Sequence, residues 1–297
     1  MPEAVVETTD LTKIFTDFLG RPRVIALDGL NLGIRRGEVF GLLGPNGSGK
    51  TTTLKLLMGF LRPTRGSALI LGRPAQDIKK NRKIGFLPEE SYFYRFLNAR
   101  ELLDFYARLF NIPRRERRRR IDKLLEQAGL SDAAKRRLKE YSKGMLRRVG
   151  IAQALINNPE FIIMDEPTTG LDPMGRVDMK NLIQELKERG VTVLLCSHLL
   201  GEVEKICTRV AILYRGKLQV EGTFEDLLLS RDTLHVAVKG ASESQIKTAL
   251  ETVGGKVASI SPEVDSLEDF FMEMVKGISN EQSMGPGKNN AEGGVAQ

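Results

Sequence analysis

The chain is 297 residues long, 41% apolar and 28% charged, proportions that supply a buried core and exclude a solvated, disordered polymer. Its net charge of +7 is modest for that length, and its two cysteines, Cys196 and Cys207, make neither a disulfide framework nor a thiolate metal cluster, as suits a reducing compartment. No run approaches the ~18 apolar residues of a membrane-spanning helix, and residues 1–10 lack the basic stretch and apolar core of a secretory signal.

In chain order, residues 5–15, 24–34 and 67–71 read as strands of a partly antiparallel β-layer. Residues 39–43 are a short apolar run that enters a glycine-rich loop directly, as a buried strand does. Residues 98–110 read as a helix. Asn98 and Glu101 can form a capping box, and Ala99, Leu102, Leu103, Tyr106 and Phe110 recur on one face. Helical patterns continue to about residue 158, and strands return at 161–164, 191–196 and 210–214. This alternation predicts an α/β fold around a largely parallel sheet, with an N-terminal antiparallel β-layer and a helical insertion at about 91–158. Arg215, Gly216 and Lys217 read as a hairpin turn into a strand at 218–220. Beyond it a shorter β-α-β-α pattern at 234–238, 243–253, 256–260 and 267–276 predicts a small domain over 230–276, set apart from the main domain at 1–229. Residues 277–297, rich in Gly, Asn and Ser without periodicity, predict a disordered tail.

Gly44-Pro45-Asn46-Gly47-Ser48-Gly49-Lys50-Thr51 fits the pattern G-x-x-x-x-G-K-[ST] between a predicted strand and a predicted helix, the context of a P-loop. Glycines let successive backbone N–H groups turn inward around phosphate oxygens, and the helix that follows adds its positive end. Lys50 is placed to neutralise β- and γ-phosphates and the Thr51 hydroxyl to ligate magnesium, with Thr52 counted among the nucleotide-binding residues. Farther on, the apolar run 161–164 delivers Asp165 and Glu166 to the C-terminal end of a buried strand, where open α/β sheets bind ligands. Asp165 fits a magnesium-holding role, and Glu166 fits the residue that orients and deprotonates an attacking water.

With the motifs that follow, the chain resembles the ATPase subunit of an ABC transporter over about residues 5–229. Tyr141-Ser142-Lys143-Gly144-Met145, followed by a predicted helix at 146–157, resembles the LSGGQ signature of that family. Thr169-Gly170-Leu171-Asp172-Pro173 resembles its D-loop, and Ser197-His198 its switch-histidine motif. Phe15 falls where the family stacks an aromatic ring on adenine. Two departures stand out. Glu89, after the run Ile84-Gly85-Phe86-Leu87-Pro88, occupies the Q-loop position, where a carboxylate can hold magnesium or water while adding negative charge near phosphates. In the signature, Lys143 and Met145 replace glycine and glutamine, whereas Ser142 and Gly144 are kept and supply a hydroxyl and close backbone approach at a helix N-terminus. Both departures, and the segment 266–271, are similar to the single-domain ATPases of ABC-2-type exporters, which pair with a separate permease.

The resemblance implies a P-loop NTPase sheet that uses ATP and Mg2+. Its catalytic residues would be Lys50, Glu166 and His198. Phe15, the loop from Gly44 to Thr52, Ser142, Gly144 and Asp172 would surround the nucleotide; Thr51, Asp165 and Glu89 would surround the metal. It implies a head-to-tail pair, of two copies or with a related ATPase, in which each P-loop faces the partner's signature. It also implies an integral membrane permease gripped near Glu89 and the helical insertion, which places the protein at the cytoplasmic face of the membrane.

One feature supports an alternative. Arg114, Arg115, Arg117, Arg118, Arg119 and Arg120 are interrupted only by Glu116, and with a pI of 9.4 they fit a soluble ABC ATPase acting on nucleic acid or ribosomes, or a contact with anionic lipid. The run holds no aromatic residue to stack a base, and the chain has one P-loop and a short insertion. The run therefore reads as the solvated start of a helix with the stripe Ile121, Leu124, Leu125 and Ala128, and no nucleic-acid partner is expected. A P-loop kinase would leave the signature, the D-loop and Ser197-His198 unexplained.

Overall fold

The computed structural model describes residues 3–198, 200–204, 206–228 and 242–252. The chain divides into two compact units, Met1–Phe224 and Glu225–Gln297. The first unit runs β1 (Ala4–Thr16), β2 (Pro22–Arg35), β3 (Val39–Leu43), α1 (Lys50–Leu57), β4 (Arg65–Ile70), β5 (Arg73–Pro74), β6 (Ile84–Leu87), α2 (Ala99–Leu109), α3 (Arg114–Gln127) and α4 (Lys143–Ala154). It continues through β7 (Phe161–Asp165), α5 (Pro173–Glu188), β8 (Thr192–Ser197), α6 (Leu200–Glu204), β9 (Arg209–Tyr214) and β10 (Lys217–Gly222), with 3-10 turns at Ile78–Lys83 and Leu138–Glu140. A short helix, α7 (Phe224–Leu228), spans the boundary between the units.

The strands form two sheets, a four-stranded antiparallel one in the order β2-β1-β4-β5 and a six-stranded one in the order β10-β9-β3-β8-β7-β6. In the second sheet β6, β7, β8, β3 and β9 are parallel, and only β10 at the edge runs the other way. The parallel strands β3, β7 and β8 are buried along their whole lengths, as expected where both faces are covered, which is why they read as continuous apolar runs.

Alternate residues of β3, β7, β8 and β9, namely Phe40 and Leu42, Phe161 and Ile163, Leu194 and Cys196, Ala211 and Leu213, share one core with Val6, Leu30 and Ile34 of the antiparallel sheet and Leu54 and Leu57 of α1. On the opposite face Gly41 leaves no room: a Cβ there would lie 2.8 Å from Val203 and 3.1 Å from Cys207 Sγ. Close approach also docks α4 on the sheet, since a Cβ at Gly85 of β6 would come within 2.3 Å of the Ala154 carbonyl.

The helix predicted at 98–110 is α2, and both bonds of its capping box are present. Strand bounds shift by a residue or two from the sequence pattern, as at β8 and β4. The two-residue turn between β9 and β10 places Arg215 and Gly216 at φ 47° and 79°, the left-handed pair that a tight hairpin requires. The sequence pattern misses β5 and the turn at Ile78–Lys83, a polar stretch whose order comes from Asp77 capping through Lys79 N.

In the second unit α8 (Glu243–Thr252) forms where a helix is expected. The strands expected at 234–238 and 256–260, the helix at 267–276 and the tail at 277–297 lie outside the described residues.

Candidate active site

Parallel strand registers bring the candidate residues to one edge. Leu43 at the end of β3 pairs with Ser197 at the end of β8, Asp165 of β7 pairs with Cys196, and Leu87 of β6 pairs with Met164. The loops that leave these ends carry the P-loop, Asp165-Glu166, Ser197-His198 and Pro88-Glu89. This is the C-terminal rim where open parallel sheets hold ligands.

The P-loop owes its shape to glycine at two positions. Gly44 has φ 149° and Gly49 has φ 111°; a Cβ at Gly44 would lie 2.2 Å from the Leu213 carbonyl, and one at Gly49 would lie 2.7 Å from the Ala26 carbonyl. The hairpin after β9 pins the loop from outside, since Gly216 N donates to the Ser48 carbonyl at 2.9 Å and Asp28 N donates to the Gly216 carbonyl at 2.8 Å. The buried Ser48 Oγ has no hydrogen-bond partner, an arrangement that suits a loop shaped for an oxygen-rich ligand. Lys50 is buried, with Nζ donating to the carbonyls of Gly44 (2.6 Å) and Pro45 (3.3 Å). Thr51 and Asn46 are exposed, Thr52 and Pro45 half-buried.

Asp165 and Glu166 are both buried. Burial, with the neighbouring charges of Glu166 and Glu89, pushes the Asp165 carboxyl up to about 6, against the opposing pull of Lys50 and Arg147. Among the described residues no three His, Cys, Asp or Glu side chains form a metal cluster by themselves, but the Asp165 carboxyl and the Thr51 hydroxyl are a pair of hard oxygen donors. Such a pair fits Mg2+ bound together with phosphate oxygens. Glu89 itself is exposed, and only its backbone carbonyl is held, by Arg147.

Glu166 stands at φ 48°, the left-handed region that a glutamate seldom occupies. Its N–H donates to the Cys196 carbonyl at 2.9 Å, Ser197 Oγ donates to Oε2 at 3.4 Å, and His198 Nδ1 lies 2.8 Å from Oε1.

The remaining candidates are carried by other elements. Ser142 caps α4 by accepting from Met145 N at 3.2 Å, and a Cβ at Gly144 beside it would meet only Ser142 Oγ, at 4.0 Å. Among the described residues, no hydrogen bond joins Ser142 to the P-loop or to Glu166. Asp172 caps α5 by accepting from Gly175 N at 3.0 Å. Phe15 pairs with Val24 in the antiparallel sheet, two residues from Ala26, whose carbonyl lies against Gly49. The Lys13 ammonium sits 5.3 Å from its ring centroid.

Sequence reasoning passed over Arg147, which is buried behind Asp165-Glu166; the side chain of Lys143, noted in the sequence as a departure within the signature, lies against Gly170. A basic residue just inside a helix that must pack on β6 is the available signal for Arg147. The arginine run opens α3 as expected, with Ile121, Leu124 and Leu125 buried, but it is not uniformly solvated. Arg117 binds Asp104 and the Ile112 carbonyl, and Arg120 binds Glu116 and the Ile156 carbonyl.

Comparison with known proteins agrees with this geometry. The sequence pattern of the family described as ABC transporter matches residues 27–169. An ABC transporter ATP-binding protein of Nostoc sp. is 42% identical over 92% of this chain and 90% of its own length. The bacitracin transport ATP-binding protein of Bacillus licheniformis is 41% identical over 75% of this chain and 71% of its own. Among solved structures, an ATP-binding subunit of an ABC transporter superposes with a TM-score of 0.71 at 26% identity, covering 91% of this chain and 99% of that one. An ATP-binding cassette captured as a post-hydrolysis dimer with ADP and Pi gives 0.67 at 31% identity, over 73% of this chain and 98% of that one.

Proposed function

The chain belongs to the ABC transporter family as one of its ATP-binding, ATP-hydrolysing subunits, and from that premise we propose that it powers an exporter by closing and opening a head-to-tail pair. Relatives named for bacitracin transport and for linearmycin resistance, the latter 37% identical over 73% of this chain, support export as the direction. No helix among the described residues is long and apolar enough to cross a membrane. In this reading the membrane passage belongs to a permease partner, bound near Glu89 and the α2–α4 insertion at the cytoplasmic face.

In this reading the P-loop N–H groups and Lys50 hold the phosphates, and Thr51 and Asp165 hold Mg2+. The ion, when bound, neutralises charge that develops on the phosphoryl oxygens. Glu166 accepts a proton from the attacking water at its carboxylate. His198 fixes that carboxylate through Oε1 and contributes to the geometry at the γ-phosphate. Catalysis rests on positioning and charge stabilisation rather than on a covalent intermediate. Phe15 supports the adenine, while Asp172 acts at the interface between copies.

The observation that carries the paired arrangement is the separation of two half-sites. The P-loop and Glu166 share one sheet edge, whereas Ser142, the N-cap of α4, makes no hydrogen bond to the P-loop or to Glu166 among the described residues. A helix N-terminus favours phosphate, so α4 acts on the nucleotide held by the partner. The test mixes Lys50→Ala with Ser142→Arg, each inactive alone, and assays ATPase activity with the permease present. A mixed pair carries one intact site and recovers part of the activity. A cysteine placed near Gly47 and another near Ser142 should crosslink between chains, and a crosslink formed only within one chain refutes the shared site.

A further inference from the structure

Arg147 sits in the first turns of α4 with a buried side chain, 6% exposed, and directs its donors at backbone carbonyls from two distant segments. Nη2 donates to the carbonyls of Asp165 (2.8 Å) and Glu166 (2.6 Å), and Nε donates to that of Pro167 (3.2 Å). Nη1 donates to the carbonyls of Pro88 and Glu89, the latter at 2.8 Å. Burial lowers its pKa to about 10, so the guanidinium is charged at neutral pH. A planar fork with five N–H donors suits this task, and a lysine does not, because its three donors radiate from a point.

The carbonyls it binds flank the strained position of the site. Glu166 is a non-glycine residue at φ 48°, a conformation that persists only where the surroundings over-determine it. One side of that restraint is the bond from Glu166 N to the Cys196 carbonyl. Arg147 supplies the other side by gripping the carbonyls immediately before, at and after Glu166. The same side chain holds the start of the loop after β6. There α4 approaches so closely that a Cβ at Gly150 would lie 2.9 Å from Ser91 Oγ and 3.0 Å from Leu87.

We propose that Arg147 is a positioning residue for hydrolysis: its guanidinium aims Glu166 and locks the Asp165–Pro167 turn, the Pro88–Glu89 loop and the signature-bearing helix α4 into one body. Thus α4, carrying Ser142 toward the partner's nucleotide, cannot shift without moving the turn that carries its own chain's Glu166. The proposal rests on the reading of Glu166 as the catalytic carboxylate.

The experiment uses the full-length chain with its membrane partner and compares Arg147→Lys and Arg147→Met, alone and in the Glu166→Gln background. Nucleotide affinity and thermal midpoint report folding; kcat and KM for ATP report catalysis. Arg147→Lys is expected to bind ATP normally and to keep KM within about twofold, while kcat falls about 10- to 100-fold, the usual effect of a misplaced reacting group. In the Glu166→Gln background the same change should alter the residual rate less than about twofold, because nothing remains to be aimed. If Arg147→Met does not fold, Arg147→Lys alone decides. A kcat within about twofold of wild type for a folded Arg147→Lys overturns the proposal, as does a loss of equal size in both backgrounds. Wild-type turnover in Glu166→Gln would instead remove the catalytic reading of Glu166, a separate failure.

Discussion

His198 Nδ1 lies 2.8 Å from Glu166 Oε1, joining the exposed residue that follows β8 to the buried residue that follows β7. The other oxygen accepts from Ser197 Oγ at 3.4 Å, so the carboxylate is held at both oxygens by consecutive residues of one strand end. A base held at both oxygens by neighbouring groups presents one orientation to a water. Glu166→Gln keeps the size and the acceptor oxygen but removes the base. It is expected to bind ATP with unchanged affinity, to turn over at least ~100-fold more slowly, and to accumulate as an ATP-bound dimer. Nucleotide titration, single-turnover hydrolysis and size-exclusion chromatography measure these separately.

Lys50→Ala should fail one step earlier. Its ammonium rests on the carbonyls of Gly44 and Pro45 and is the one basic side chain of the P-loop. Removing it takes away a charge-assisted contact to phosphate, and a loss of about 1.5–3 kcal/mol weakens ATP binding by roughly 10- to 100-fold. Calorimetric titration with ATP decides. Wild-type affinity would place the phosphates elsewhere.

Gly49→Ala tests the loop itself. The residue stands at φ 111° with the Ala26 carbonyl in the space a methyl would fill. The substitution is expected to cost about 1–3 kcal/mol of stability and to abolish ATP binding, because the loop must move away from Ala26. Gly47→Ala meets nothing within 4 Å and should cost less, since only its φ of 79° opposes it. Denaturant unfolding of both variants separates crowding from backbone strain.

Lys80 should make stability depend on pH. Its side chain is buried, donates to the carbonyl of Met58 at the end of α1 and to Asn81 Oδ1, and burial pulls its pKa from 10.5 down to about 8. Between about pH 8 and 10.5 the unfolded chain keeps this proton and the folded chain has released it. Stability from this site therefore rises with pH through that window and is lost as pH falls through about 8. Lys80→Met removes the dependence. The stability difference between wild type and Lys80→Met, from urea titrations at pH 7.5 and pH 10, should change in favour of wild type by on the order of 1 kcal/mol. A difference independent of pH would mean that the buried ammonium is not destabilised.

Within the arginine run the structure separates neighbours. Arg117→Ala breaks the contacts to Asp104 and the Ile112 carbonyl and should cost about 1–3 kcal/mol, whereas Arg118→Ala and Arg119→Ala, at exposed positions, should stay within about 0.5 kcal/mol. Thermal melts of the three variants check this. Equal effects would return the run to a single solvated face.

Most of the fold was legible because its signals are local. The P-loop pattern, the capping box of Asn98 and Glu101, and the apolar runs of β3, β7 and β8 each report a structure set within a few residues. The ends of parallel strands then place Asp165, Glu166 and His198 together without further information. What stayed hidden is where long polar side chains go. Arg147 and Arg148 are adjacent and chemically identical, yet the first is buried on backbone carbonyls and the second reaches Asp178 at the surface. Lys80 stands in a basic stretch with Lys79 and Lys83, and only the packing against the end of α1 singles it out. Periodicity assigns faces through apolar residues, so a buried charge whose partners are main-chain carbonyls leaves no trace in it.

The left-handed backbone at Glu166 sets the interests of the chain against those of the reaction. Glycine or asparagine would occupy that conformation with less strain, and either would leave the P-loop and the sheet untouched. Under selection for folding alone, drift at this position should run toward those residues, and each arrival would yield a sturdier protein that traps ATP without cleaving it. Retaining a glutamate there requires continued demand for turnover. Descendants released from that demand should show the change at this codon before the core of the fold decays.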